Sequence, residues 1–222
     1  MEHNLEKLKK LSDNKVHFMD YSESDFMKWK ARDNNILKSS QAPKFLKAIL
    51  IHKQKKRPHL FFGEAYAVSK LGDTTKEGWF NSWDWISSNK WMKGEYSKSN
   101  DPVINDLKKQ FYEDALIRYI ETAKWLKLLE VQKNLSHIPE PPDLWLVDKN
   151  NNHHFIEVKR NKDKLSDAQI LGLALIDVCL NYQVHLLWLY EENKNPPNNY
   201  KLEPYIEKFN RFKKLNQIEI KS

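Results

Sequence analysis

Two short apolar runs, DLWLVD at 143–148 and HHFIEVK at 153–159, are separated only by KNNN and preceded by HIPEPP at 137–142. This stretch constrains the fold more than any other. A residue before proline is pushed out of the helical region, so the Pro139, Pro141, Pro142 segment must deliver an extended chain to Asp143. Asparagine tolerates the left-handed conformation that a tight turn requires, so KNNN reads as the turn of a β-hairpin over 143–159. Side chains two apart on a strand share a face, which puts Glu157 and Lys159 on the side of Phe155, with Ile156 and Val158 on the other. An antiparallel pair also brings its outer ends together, so Asp143 lands near Glu157 and Lys159. Charges at the end of an apolar strand carry a desolvation cost and require a compensating partner.

The rest of the chain supplies helices and strands around that hairpin. Residues 1–57 read as short helices, with Ser22-Glu23-Ser24-Asp25 resembling a capping box and 43–51 a compact apolar helix. LFFGEAYAVSKLG, 60–72, has helical spacing and closes on Gly72. A strand starts in GWFNSW at 78–83, and Asp101-Pro102 opens one long helix or two stacked ones. Trp79, Trp83, Trp85 and Trp91 crowd this region and read as packing residues before a base-stacking platform. After the hairpin, Ser166 caps a helix, 183–190 is an apolar strand and 203–215 a last helix. The sum is an α/β fold, a mixed sheet flanked by helices. We expect a basic helical lobe at 1–57, a core at 58–195 with a helical, Trp-rich insert at about 81–137, and a C-terminal helix at 196–222.

Composition excludes several classes. No run of 18 apolar residues exists, and the N-terminus lacks the apolar stretch of a signal peptide, so a cytoplasmic protein without a membrane span is expected. One cysteine, Cys179, forms no internal disulfide and with scattered histidines makes no zinc site. No glycine-rich phosphate loop is present.

Two carboxylates a few ångströms apart repel unless a cation sits between them or one stays protonated. Oxygen ligands suit Mg²⁺ or Mn²⁺, bound through one or two carboxylates together with substrate phosphate. A lysine beside such a site polarises an attacking water or holds a scissile phosphate. Phosphodiester hydrolysis needs that set.

PPD at 141–143 and IEVK at 156–159 resemble the PD-(D/E)XK nuclease signature, and the continuation KRNKDKLSDAQ is similar to that of virus-type replication-repair nuclease (VRR-NUC) domains. The similarity runs from about Ile138 to Tyr190. It implies a restriction-endonuclease-like sheet and a metal bound by Asp143, Glu157 and the carbonyl of Val158, with Lys159 as the catalytic lysine. Gln169 falls on the family's glutamine, although Ser166-x-x-Gln169 is equally a capping box. The family also carries a glutamate on an early helix, for which Glu64 is the better match and Glu113 the competitor. Pro141 departs from the glycine common two residues before the motif aspartate. The resemblance further implies a DNA substrate, branched in the case of small stand-alone members, and pairing into homodimers.

The charge distribution points to the same partner. Residues 1–60 hold 14 Lys and Arg against 7 Asp and Glu, while the other 162 residues hold 23 of each. The whole net charge of +7 thus lies in the first quarter, ending in HKQKKRPH. Lys53, Lys55, Lys56 and Arg57, with Arg160 and Lys162 beyond the hairpin, are the expected nucleic-acid contacts. Three readings stand: a structure-specific DNA endonuclease, a restriction, defence or transposon-type nuclease of the same chemistry, and a catalytically idle binding module.

Overall fold

The computed structural model describes residues 4–80, 139–160 and 163–221. The expected helix from Asp101, the insert at 81–137, Trp83, Trp85, Trp91, Glu113 and Lys162 lie outside the described residues.

Five strands form one mixed sheet: β1 (His17–Tyr21), β2 (Thr75–Phe80), β3 (Leu144–Asp148), β4 (His153–Arg160) and β5 (Gln183–Glu191). Their spatial order is β1-β5-β4-β3-β2. The pairs β1/β5 and β4/β5 are parallel, and β2/β3 and β3/β4 antiparallel. The expected hairpin is present, with Leu144 opposite Ile156 and Asn151 at φ 64° in its turn.

Six α-helices among the described residues complete this framework. They are α1 (Glu23–Lys30), α2 (Asn35–Lys38), α3 (Lys44–Lys56), α4 (Phe62–Leu71), α5 (Asp167–Leu175) and α6 (Asn199–Lys221). The N-terminal segment is helical as expected, and Ser22 caps α1 by accepting the Asp25 N–H. It also supplies β1, a strand missing from the sequence reading. Five residues with two polar ones, HFMDY, give too short an alternation to register alone. Pairing with β5 is what orders them.

Alternation sorts the sheet into two faces. Met19, Tyr21, Leu144, Leu146, Ile156, Val158, Leu187 and Leu189 enter a core with Trp29, Leu37, Leu46, Leu50, Phe62, Ala65 and Val68 from the N-terminal helices. Trp188 points to the other side, where it meets Tyr205 of α6. Trp79, Trp145 and Phe155 pack ring against ring, as expected of Trp79, with Trp145 and Phe155 stacked at 4.7 Å.

Close approach favours glycine at positions 72, 172 and 63. Gly72 ends α4 at φ −58°, so its left-handed freedom is unused; a Cβ there would stand 2.7 Å from the Ala42 nitrogen. At Gly172 in α5 a Cβ would lie 1.9 Å from the Glu140 carbonyl oxygen, so the glycine makes room for the strand-entry segment. Gly63 in the first turn of α4 faces Val158, whose Cγ1 would be 3.1 Å from an added Cβ.

Candidate active site

Asp143 stands one residue before β3, opposite Glu157 by continuation of the register. The β3 backbone leaves the ladder there, and the Asp143 side chain takes its place: Oδ2 accepts the Val158 N–H at 2.9 Å. The aspartate of the PPD run is therefore also a strand-start device. It fixes one carboxylate oxygen and aims the carboxyl group at the end of β4.

Glu157 is fully buried, and Lys159 is 8% exposed. Lys159 Nζ lies 2.5 Å from Glu157 Oε1, while Glu157 Oε2 is buried with no hydrogen-bond partner among the described residues. A buried carboxylate oxygen left unpaired is costly, and such an exception calls for an explanation.

The third carboxylate comes from α4. Gly63 lets the first turn of that helix sit directly on Val158, so Glu64 reaches the same group of charges. Burial and the neighbouring Asp143 push its pKa up to about 8. Burial also raises Asp143, against the opposing pull of Lys159 and the Val158 N–H. Glu157 is raised well above the carboxylate range by burial and by Asp143, with Glu64 adding to the repulsion. Lys159 moves the other way from what burial alone would do: Glu157 and Asp143 outweigh desolvation and hold its ammonium. Three acids and one lysine thus form a desolvated cluster in which the carboxylates lack cationic charge.

The cluster fits a hard divalent cation. Its donors are oxygens, one of them orphaned and buried, and positive charge would relieve all three acids at once. Among the described residues no group of three or more His, Cys, Asp or Glu side chains already stands in a ligating arrangement. Lys159 occupies one of the oxygens that such an ion would use.

The other expected residues divide. Gln169 is in the capping box: its Oε1 accepts the Ser166 N–H at 3.1 Å while Ser166 Oγ accepts the Gln169 N–H. Among the described residues no hydrogen bond joins it to Asp143, Glu157 or Lys159, so the local reading of Gln169 is the one its contacts express. Lys55, Lys56 and Arg57 are exposed at the end of α3. That end connects through five residues to α4, close in the chain to Glu64. Lys53 instead lies over the rings of Phe61 and Phe80, at 5.2 and 4.9 Å. Arg160 leaves β4 with its guanidinium 4.1 Å from the Phe26 ring centre and 5.5 Å from that of Phe62. Asp163, a residue given no role from sequence, holds this strand end by accepting the Arg160 N–H at 2.9 Å. Its place as the acid of the DKLSDAQ run was the available signal.

His154 and His185 form a separate buried pair on β4 and β5. They share a hydrogen bond of 3.0 Å, and the chain continues to Asp148 on one side and the Lys9 carbonyl on the other. Burial drives His185 down to about 3. His153 stacks on Tyr182 at 4.5 Å, away from the carboxylates.

Among comparisons with known proteins, the profile of the VRR-NUC domain matches residues 86–187. The match takes in Asp143, Glu157, Lys159 and Gln169 and leaves Glu64 outside. No curated protein and no solved structure matches the chain. Among the described residues no helix is long and apolar enough to cross a membrane.

Proposed function

Starting from a chain that carries a VRR-NUC domain, part of the PD-(D/E)XK nuclease superfamily, we propose that it is a divalent-metal-dependent DNA endonuclease. The observation that carries this reading is the unpaired, buried Glu157 Oε2 beside Asp143 and Lys159. An idle binding module has no reason to keep three mutually repelling buried acids.

In this reading Asp143, Glu157 and the Val158 carbonyl would hold Mg²⁺ or Mn²⁺. The ion would supply Lewis-acid neutralisation of the charge that grows on the phosphate oxygens. Asp143 stays oriented through its bond to the Val158 N–H. Lys159, released from Glu157 Oε1, turns its ammonium to a non-bridging phosphate oxygen or to the attacking water. Glu64 orients that water from the opposite side. Water oxygen bonds to phosphorus as one of its protons passes to solvent, the bridging P–O bond breaks, and the departing oxygen takes a proton from solvent.

DNA is the expected polymer because the chain's excess charge sits in the segment that leads into α4. Branched substrates and homodimer formation belong to the same proposal and rest on the domain match; a cytoplasmic setting fits the composition.

The test is nicking of supercoiled plasmid by purified protein in Mg²⁺, Mn²⁺, Ca²⁺ and EDTA. Cleavage is expected in Mg²⁺ or Mn²⁺ and to vanish in Glu157→Gln and Asp143→Asn. Metal-independent cleavage, or full activity in either variant, overturns the assignment.

A further inference from the structure

Beside the carboxylate cluster, at the carboxyl ends of β4 and β5, lies a cavity of about 640 Å³. That volume falls in the range of small-ligand pockets, and the ends of parallel strands are where such pockets form in open α/β sheets. Its wall includes Arg160, Trp188, Tyr190, Lys201 and Tyr205. Trp188 is the register partner of Lys159, so the cavity begins one strand spacing, about 4.8 Å, from the β4 backbone.

Two features indicate what the cavity would take. The first is aromatic surface: Trp188 and Tyr205 lie nearly parallel, at 24°, with ring centres 6.5 Å apart. The second is an excess of hydrogen-bond donors. Among the described residues Trp188 Nε1 and one terminal nitrogen of Arg160 are buried without a partner, and Trp188 is 4% exposed. The acids in the wall are engaged, Asp163 by the Arg160 N–H and Glu191 by Lys194 at 2.6 Å. Flat aromatic rings with unmet donors and nearby cations match a nucleotide: a π face, ring and carbonyl acceptors, and a phosphate. A paired base inside a duplex cannot offer its face to such a wall. An unpaired one can.

We infer that this cavity is a subsite for one unpaired nucleotide of the DNA strand next to the scissile phosphate, its base against Tyr205, which Trp188 backs, and its phosphate toward Arg160 and Lys201. The inference rests on the nuclease reading and deepens it: within the branched DNA already proposed, it assigns the residues that hold the unpaired strand beside the cleavage point.

The test compares a blunt duplex with the same duplex bearing a five-nucleotide extension, with 2-aminopurine as the first unpaired base. Binding is followed in Ca²⁺ by anisotropy and base fluorescence, and cleavage in Mg²⁺ on the same DNAs. Tyr205→Ala should weaken binding of the extended DNA about tenfold or more, the scale of one lost base stack. It should leave the blunt duplex within about twofold, and Tyr205→Phe should behave as wild type. Lys201→Glu, at an exposed position that the fold does not need, should also weaken the extended DNA selectively. Equal losses on both DNAs, no loss in either variant, or 2-aminopurine fluorescence unaltered on binding overturns the subsite. If Tyr205→Ala fails to fold, Lys201→Glu and the wild-type fluorescence decide alone. Absence of cleavage on every DNA would sink the nuclease reading while the binding comparison still judges the cavity.

Discussion

Gly172→Ala should destabilise the protein and impair its site, against the trend of helix propensity. In the interior of α5, exchanging glycine for alanine would by itself gain about 1 kcal/mol. The added Cβ, however, would stand 1.9 Å from the Glu140 oxygen and 3.0 Å from its carbonyl carbon. A carbon–oxygen contact settles at roughly 3.3 Å or more, so the segment must retreat by about 1.4 Å. That retreat breaks the 2.9 Å bond from the Glu140 N–H to the Ala168 carbonyl, worth about 1 kcal/mol. Forced overpacking adds about 1–3 kcal/mol. The net expectation is a loss of about 1–3 kcal/mol. Pro141 and Pro142 transmit the displacement stiffly to Asp143, whose carboxylate must stay on the Val158 N–H. An error near 1 Å in such a group costs about a hundredfold in rate. Urea unfolding gives the first quantity and plasmid nicking at saturating Mg²⁺ the second. A variant as stable as wild type, with full activity, would show that the Glu140 segment yields freely and that the argument for its rigid role is wrong.

Other perturbations separate the remaining roles. Lys159→Gln should abolish cleavage while leaving DNA affinity in Ca²⁺ nearly unchanged, and normal turnover would remove Lys159 from the chemistry. Glu64→Gln should cut turnover strongly with affinity preserved; a normal rate beside an inactive Glu113→Gln would move the helix carboxylate to Glu113. The buried His185 resists protonation down to about 3, whereas the unfolded chain takes up that proton near 6.5. Its contribution to stability is therefore complete above pH 6.5 and is lost as the pH falls toward 3, by about 1.4 kcal/mol per unit. Urea midpoints between pH 7 and 5 should decline less steeply in His185→Gln than in wild type, and parallel declines would refute the assignment. Neutralising Lys55, Lys56 and Arg57 together should flatten the plot of log affinity against log salt by up to about 0.9 per lost phosphate contact. Lys53 is left in place because its ammonium sits over Phe61 and Phe80; unchanged slopes would reduce this basic end to a solvated surface.

The hairpin and its charge pair were legible in the sequence because their determinants are local. Prolines before Asp143, asparagines at the turn and a two-residue period fix which side chains share a face, and an antiparallel return makes Asp143 meet Glu157 whatever surrounds them. The N-cap at Ser22 and the capping box at Ser166 are local in the same way. Strand β1 was not legible, since HFMDY becomes a strand only when β5 offers it a parallel edge 170 residues later in the chain. Nor could sequence tell that Gly63 brings α4 onto Val158, which is what gathers Glu64 with Asp143 and Glu157. The same holds for the glycine at 172, helical by its neighbours yet required by the Glu140 carbonyl. Lys53 looked like one more phosphate contact in a basic run, and only packing turned it over two aromatic rings. Local pattern determined which charged groups meet at the hairpin end; how close the carboxylates come, and how far burial shifts them, depends on desolvation by distant elements, which no spacing along the chain encodes.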